Sequence, residues 1–437
     1  MPKNRPELRL PVAQNWSCHG TGACCRYHVV TVTQPEWDRI RSLDWGNDVP
    51  WGERSPVERA GRDGAGSTLY RLAHKPDGSC IFLDEDGLCT IHRRFGLRAK
   101  PLACQLYPYV VVPLGRELRI GLRFSCPSVV GNRGESVGAQ ESELVRLARE
   151  LTSGAVKQPE PPPLVDGGPV PNWDWLLAYL DCAARFFHDS PVDVRLQCVR
   201  LLAWHGLVLA TYDDKHREGP SWLDACAIRA LREVGEGALD CGPAGWLACA
   251  LVRTLAARLG RRDQPLGFGG PLGLLRRATG AVRSFAGVGT LPSLGRFPRV
   301  TRRAIGTVCP APDASAAEIL RRYLRTKLWS GQFLGAANFG LSVHDGLLSL
   351  MVATAVVLWL ARRYAAANAS NSVDEEAISV AVQAVDHHFG FDPVLASRAA
   401  RFRHRWLWRT GQLVPLIVHG GERLAVQLVG RERSDGR

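Results

Sequence analysis

The chain has 437 residues, 46% hydrophobic and 22% charged, which excludes a globally disordered or fibrous protein and leaves room for two or three domains. The formal net charge is +13. Its basic residues are nearly all arginine and scattered along the chain, with lysine only at Lys3, Lys75, Lys100, Lys157, Lys215 and Lys327; without a long basic run or a base-reading element, this argues against nucleic acid as partner.

Met1 to Gln14 is polar and proline-bearing and lacks the apolar stretch of a secretory signal. The expected compartment is therefore the reducing cytoplasm, where cysteines persist as thiols. Arg26–Thr33 is alternating and β-branched and reads as a short strand. Gln34-Pro35-Glu36 then opens a short helix through Ile40, with proline suited to the first turn. Residues 46 to 68, rich in Gly, Asp and Pro, read as a surface loop. Val110–Phe124 reads as a β-hairpin turning at Pro113–Arg116. A helix over Glu141–Leu151 is followed by the proline-rich stretch Lys157–Pro171, a linker.

Beyond the linker the pattern is helical. Apolar residues recur at three- and four-residue spacing over Trp173–Phe187, Pro191–Thr211, Trp222–Glu236, Gly245–Leu259 and Ala314–Phe333. Residues 260 to 300 read as a long irregular connection. Leu347–Ala361 is continuously apolar for about fifteen residues, short of the ~20 that span a bilayer, so a buried core helix is expected rather than a transmembrane segment. A capped helix over Val373–Phe389 follows, and Val414–Val429 reads as a closing hairpin around Gly420-Gly421. The expected fold class is α+β, with a small cysteine-rich metal-binding domain at 1–130, a helix and linker at 131–171, and a mainly helical domain at 172–437.

Seven of the thirteen cysteines precede residue 127: Cys18, Cys24, Cys25, Cys80, Cys89, Cys104 and Cys126. The other six are far apart, mostly among aliphatic residues, where a lone cysteine is usually a small buried hydrophobe. Thiolates are soft ligands for zinc and iron–sulfur clusters, and four complete a site. Asp77-Gly78-Ser79-Cys80 and Asp86-Gly87-Leu88-Cys89 are each a turn presenting a thiol. Adjacent Cys24 and Cys25 diverge on an extended backbone, so one of them is expected at the main site. His92 is the one histidine with ligand-like spacing, although such a residue is more often a polar surface group. Asp386-His387-His388 reads as a polar cluster at a helix C-terminus, and His344-Asp345 as a cap. No zinc-finger or ferredoxin spacing is present.

Taken together, Gly22-Ala23-Cys24-Cys25-Arg26, Cys80-Ile81-Phe82-Leu83, Cys89-Thr90-Ile91-His92 and Lys100-Pro101-Leu102-Ala103-Cys104-Gln105-Leu106-Tyr107-Pro108 resemble the YkgJ-type cysteine-cluster family of CxxCxxCC zinc- or iron-chelating domains. The resemblance covers roughly residues 16 to 127. It departs at Thr21, where the family pattern has a cysteine. It implies a metal drawn from the seven thiols: an iron–sulfur cluster, the four-iron form favoured, or zinc. Some members are named flagellin lysine N-methylases, which implies S-adenosylmethionine and a protein substrate. No independent motif supports that reading, since Leu266–Gly273 has no preceding strand and no downstream acid for a nucleotide fold. Three functions follow: a metal-binding protein with a structural or redox cluster, a protein-lysine methyltransferase, and an adaptor with a structural metal site that binds a protein partner. No catalytic residue is identified.

Overall fold

A computed structural model describes residues 7–11, 14–26, 28–46, 49–52, 54–62, 68–152, 159–188, 191–212, 220–261, 270–287 and 289–421. The fold is α+β, a small strand-bearing, cysteine-rich N-terminal part followed by a mostly helical one. The N-terminal elements are β1 (Glu7–Arg9), β2 (Thr31–Thr33), α1 (Gln34–Arg41), β3 (Val57–Arg62), β4 (Thr68–Leu72), α2 (Thr90–Phe95), α3 (Leu102–Leu106), β5 (Tyr109–Leu114), β6 (Glu117–Leu122), α4 (Pro127–Val130) and α5 (Glu141–Thr152). Then come α6 (Trp173–Arg185), α7 (Val194–Thr211), α8 (Pro220–Glu233), α9 (Trp246–Leu259), α10 (Gly270–Ala286), β7 (Thr290–Leu291), β8 (Val300–Thr301) and α11 (Arg302–Thr307). The chain continues through α12 (Ala314–Trp329), α13 (Val343–Ala367), α14 (Glu375–His388), α15 (Arg398–Arg409) and α16 (Leu413–Val418).

Apolar side chains gather in two clusters. The smaller, built on Val32, Trp37, Ile40, Trp45, Phe82 and Ile91, supports the cysteine-bearing loops. The larger joins the helices to the β5–β6 hairpin, whose Val112, Ile120, Leu122 and Phe124 are buried among them. In that hairpin Tyr109 pairs with Leu122 and Leu114 with Glu117, and β1 adds in parallel, Leu8 on Leu118. Every residue of β6 is buried. Arg119 from β6 anchors the sheet to the helices, its Nη1 donating to Asp181 at 2.7 Å and to the Trp329 carbonyl at 2.8 Å.

Helix α13 runs through the middle of the larger core. It is long and apolar enough to cross a membrane, and the whole of its apolar window is buried inside the fold. Arg362 near its end is fully buried. The guanidinium donates to the carbonyls of Ile305 (2.9 Å), Val308 (3.2 Å) and His419 (2.6 Å), and so ties the ends of α11 and α16 to α13.

Several local expectations are corrected. The loop expected at 46–68 contains β3, which pairs with β4 around a bulge at Arg59/Gly61; cross-strand contacts outweigh its turn-like composition. Of the strand expected at Arg26–Thr33, Thr31–Thr33 pairs as a strand against Leu69–Arg71, and Arg26 makes an isolated bridge to Ser79. The connection at 260–300 contains α10, held to α9 by buried Arg253, whose Nε donates to the Ser284 carbonyl at 2.9 Å; its glycines disguised a helix stabilised by tertiary contact. The closing hairpin is contradicted over 413–418, which is helical because Leu413, Leu416 and Ile417 seat in the core. Gly420 and Gly421, both at positive φ, end that helix, and the Gly421 amide returns to the Leu416 carbonyl at 2.7 Å. Its remainder, from residue 422, lies outside the described residues, as do 262–269 of the glycine-rich stretch.

Candidate metal centre

Four stretches of chain bring thiols together. In the first, Gly22 sits at φ 64°, and a side chain there would approach the Gly87 carbonyl oxygen to 2.9 Å. Glycine thus lets the Cys24 turn lie directly on the Cys89 turn. The chain then tightens into a 3₁₀ turn over Ala23–Cys25. This corrects the expected divergence of Cys24 and Cys25: the backbone is not extended, and their sulfurs lie 3.9 Å apart, both lining one cavity.

The second stretch is tied to the first, the Cys80 amide donating to the Cys25 carbonyl at 2.6 Å. Asp77 shapes the turn before it by accepting from the Ser79 amide at 3.0 Å. In the third, Asp84 accepts from the Leu88 amide at 2.8 Å and Cys89 stands at the start of α2. The fourth stretch carries Cys104 on α3, and α1 grips it. Glu36 forms a capping box with Thr33 and its other oxygen accepts from the Leu102 amide at 2.8 Å. One turn on, Arg39 donates to the carbonyls of Arg98 (2.7 Å) and Lys100 (3.1 Å). Gln105 also donates to the Lys100 carbonyl, at 2.7 Å.

Cys24, Cys25, Cys80, Cys89 and Cys104 line one cavity of about 340 Å³, together with Lys100, Arg123, His28 and His74. Cys18 and Cys126 do not line it. Cys18 is exposed, and Cys126 is buried at the start of α4. Thr21 is exposed, with its hydroxyl 3.5 Å from the Ala23 amide. His92 is also exposed and outside the cavity lining. His28 and His74 take the places sequence reasoning gave to none: His74 Nε2 lies 3.1 Å from the His28 carbonyl, and the His28 ring meets Tyr107 and His387 edge-on.

The thiols are electrostatically unequal. The Cys25 thiol hydrogen-bonded to Cys24, with help from Lys100, brings the Cys24 thiol down to about 6 against the opposing effect of burial. Its neighbour Cys25 is pushed up by the same bond and by burial. Burial pushes Cys80 up to about 12 and raises Cys104 as well. Burial alone would lower Lys100, but Cys104, Cys89, Cys24 and Cys25 more than offset it and the ammonium is held above its usual value. Lys100 was overlooked in the sequence despite a usable signal: it is one of six lysines in an arginine-rich chain, and it lies between two clustered cysteines.

Asp386-His387-His388 closes α14, the helix C-terminus expected for it, and all three residues are buried. Lys327 Nζ lies 2.6 Å from Asp386 Oδ1, and the Ser125 amide donates to Oδ2 at 2.8 Å. This node sits next to the thiol cavity through Arg123, which donates to the His387 carbonyl at 3.0 Å. The cap expected at His344-Asp345 is corrected: His344 is not the capping residue. Ser342 caps α13, while His344 Nδ1 lies 2.9 Å from His205 Nε2.

Residues 17–127 match the CxxCxxCC family, described as "Putative zinc- or iron-chelating domain", and this stretch of the chain is a cysteine-cluster domain of that family. No curated protein matches the chain, and no solved structure does.

Proposed function

We propose that this chain is a metalloprotein whose N-terminal domain holds iron, as an iron–sulfur cluster, or zinc through thiolates of Cys24, Cys25, Cys80, Cys89 and Cys104. One observation carries the reading: five thiols from four separate stretches line a single cavity whose lining includes Lys100 and no carboxylate. Soft sulfur donors concentrated in this way suit a soft or borderline metal, and the two cations of the lining, Lys100 and Arg123, cannot balance five thiolates. The iron–sulfur form is the better fit. Thiols drawn from four stretches and spread around one cavity suit the corners of a multi-atom cluster. Bound there, the group ties the four stretches into one body beside α14 and serves a structural or redox role.

The test is anaerobic purification followed by metal analysis and a visible spectrum. A brown protein with sulfide and iron supports the cluster; a colourless one with stoichiometric zinc supports the alternative metal. Cys80→Ser and Cys104→Ser should lose the metal, while Cys18→Ser and Cys126→Ser should keep it. Full metal content in the first pair would overturn the ligand set. Saturable S-adenosylmethionine binding in the same samples would move the reading towards methyl transfer.

A further inference from the structure

The wall of the cavity away from the thiols carries an unbalanced positive charge. Lys327 and Arg123 are both buried near one carboxylate, Asp386: Lys327 pairs with it at 2.6 Å, while Arg123 lies in its field and donates to the backbone carbonyls of Asp386 and His387. Two cations on one anion leave one charge over, in surroundings where an unanswered charge is costly. The excess faces the cavity. Arg123 lines it, stacks at 3.6 Å on Phe391, and has an Nε with no hydrogen-bond partner. Lys100, the other cation in the lining, already lies in the field of four thiols.

The remaining walls carry His28, His74, Tyr107 and Tyr109 among apolar side chains. Val30 and Val111 contribute to them, and Val29, Leu151 and Phe391 line the same cavity while standing 51%, 42% and 52% exposed. Three large apolar side chains left in water around one chamber, with a single buried guanidinium inside, make an amphipathic pocket.

We propose that the chamber beside the thiols binds a small monocarboxylate with an aliphatic body, its carboxylate accepting from Arg123 and its chain lying against Val30 and Val111. The carboxylate supplies the anion that Arg123 lacks, through the strong charge-assisted bonds that guanidinium makes. The inference rests on the metal reading only for what occupies the thiol side of the cavity.

The metal-loaded full-length protein is titrated calorimetrically with octanoate and with octanamide, which has the same chain and no charge. Octanoate should saturate at one per chain, with octanamide at least tenfold weaker. Arg123→Gln should bring octanoate down to the octanamide level. Because that variant disturbs the buried node, Val111→Trp is the second arm; it adds bulk to the apolar lining without removing a thiol or Arg123, and should abolish octanoate binding at unchanged metal content. Equal binding of the two probes, or undiminished binding by Val111→Trp, overturns the inference. Metal content measured on the same samples separates the two readings. Full metal without octanoate binding overturns this one alone, and octanoate binding by protein that never carries metal supports this one while removing the other.

Discussion

Asp386 serves two buried cations, so its loss should cost more than the loss of either. Lys327→Met removes an ammonium that lies 2.6 Å from Asp386 Oδ1, 2.6 Å from Gln332 Oε1 and 3.2 Å from the Leu122 carbonyl. The carboxylate left behind keeps the Ser125 amide and the nearby Arg123. Breaking a buried pair costs about 3–5 kcal/mol, and these remaining partners place Lys327→Met near the lower figure. Asp386→Asn strands Lys327 and Arg123 together, two buried cations with no anion in the node, and belongs at or above the upper figure. The double variant leaves only Arg123 uncompensated and should cost less than the two single variants added, by about 2 kcal/mol of coupling. The assay is urea denaturation of the full-length protein, followed by circular dichroism and by tryptophan fluorescence, with slopes checked for equality before midpoints are compared. If Asp386→Asn costs the same as Lys327→Met or less, Asp386 does not hold two cations and the charge count at the cavity wall is wrong.

Glu36→Ala removes the acceptor of the Thr33 and Leu102 amides; it should cost about 1–2 kcal/mol and lower metal retention, and unchanged retention would mean that α1 does not position Cys104. Metal-free protein should weaken above about pH 8.5, where unfolded thiols ionise while Cys80 stays protonated up to about 12. The fold then holds a proton that the unfolded chain has shed, and stability falls by about 1.4 kcal/mol per pH unit per thiol; denaturation midpoints between pH 8 and 10 should show this fall without metal and not with it. At the acid end, burial lowers His344 to about 4 and His404 to about 3. Below about pH 6.5 the unfolded chain takes up protons that the fold refuses, so stability is lost as pH drops, about 3 kcal/mol from His344 alone by pH 4; His344→Gln should flatten that limb. A fragment ending at residue 130 should fail to fold, because the hairpin side chains Val112, Ile120, Leu122 and Phe124 lose the helices that bury them; a soluble fragment with native metal content would refute this.

The thiol cluster was legible because its signals are local. Asp77-Gly78-Ser79 and Asp86-Gly87-Leu88 each announce a turn that presents the following cysteine, and turn chemistry survives in any tertiary context. The α6–α9 helices were legible for a similar reason, since their apolar spacing is carried within each helix. What stayed hidden depends on residues distant in sequence. Arg123 and Asp386 form one node across more than 260 positions, and nothing around either marks the other. Strand β1 is three residues long and becomes a strand only because Glu117–Arg119 offers an edge. Cys24 and Cys25 were misjudged because a 3₁₀ turn, set by the fit of Gly22 against Gly87, replaced the extended backbone that periodicity assumes.

The β5–β6 hairpin explains how two chemically different parts of the chain become one structure. Its start adjoins the metal side: Val111 lines the thiol cavity, and Tyr107 just before it meets His28 edge-on. From β6 and the segment after it, Arg119 reaches Asp181 and Trp329, Leu122 accepts from Lys327, and Ser125 donates to Asp386. A shift of the hairpin therefore changes the cavity wall and the buried charge node together. Binding free energy gained at the thiols is folding free energy for the loops that carry them, and this shared element extends it to the helices. Metal removal should then loosen α12 and α14 as well as the cysteine loops, a coupling that hydrogen exchange can read amide by amide.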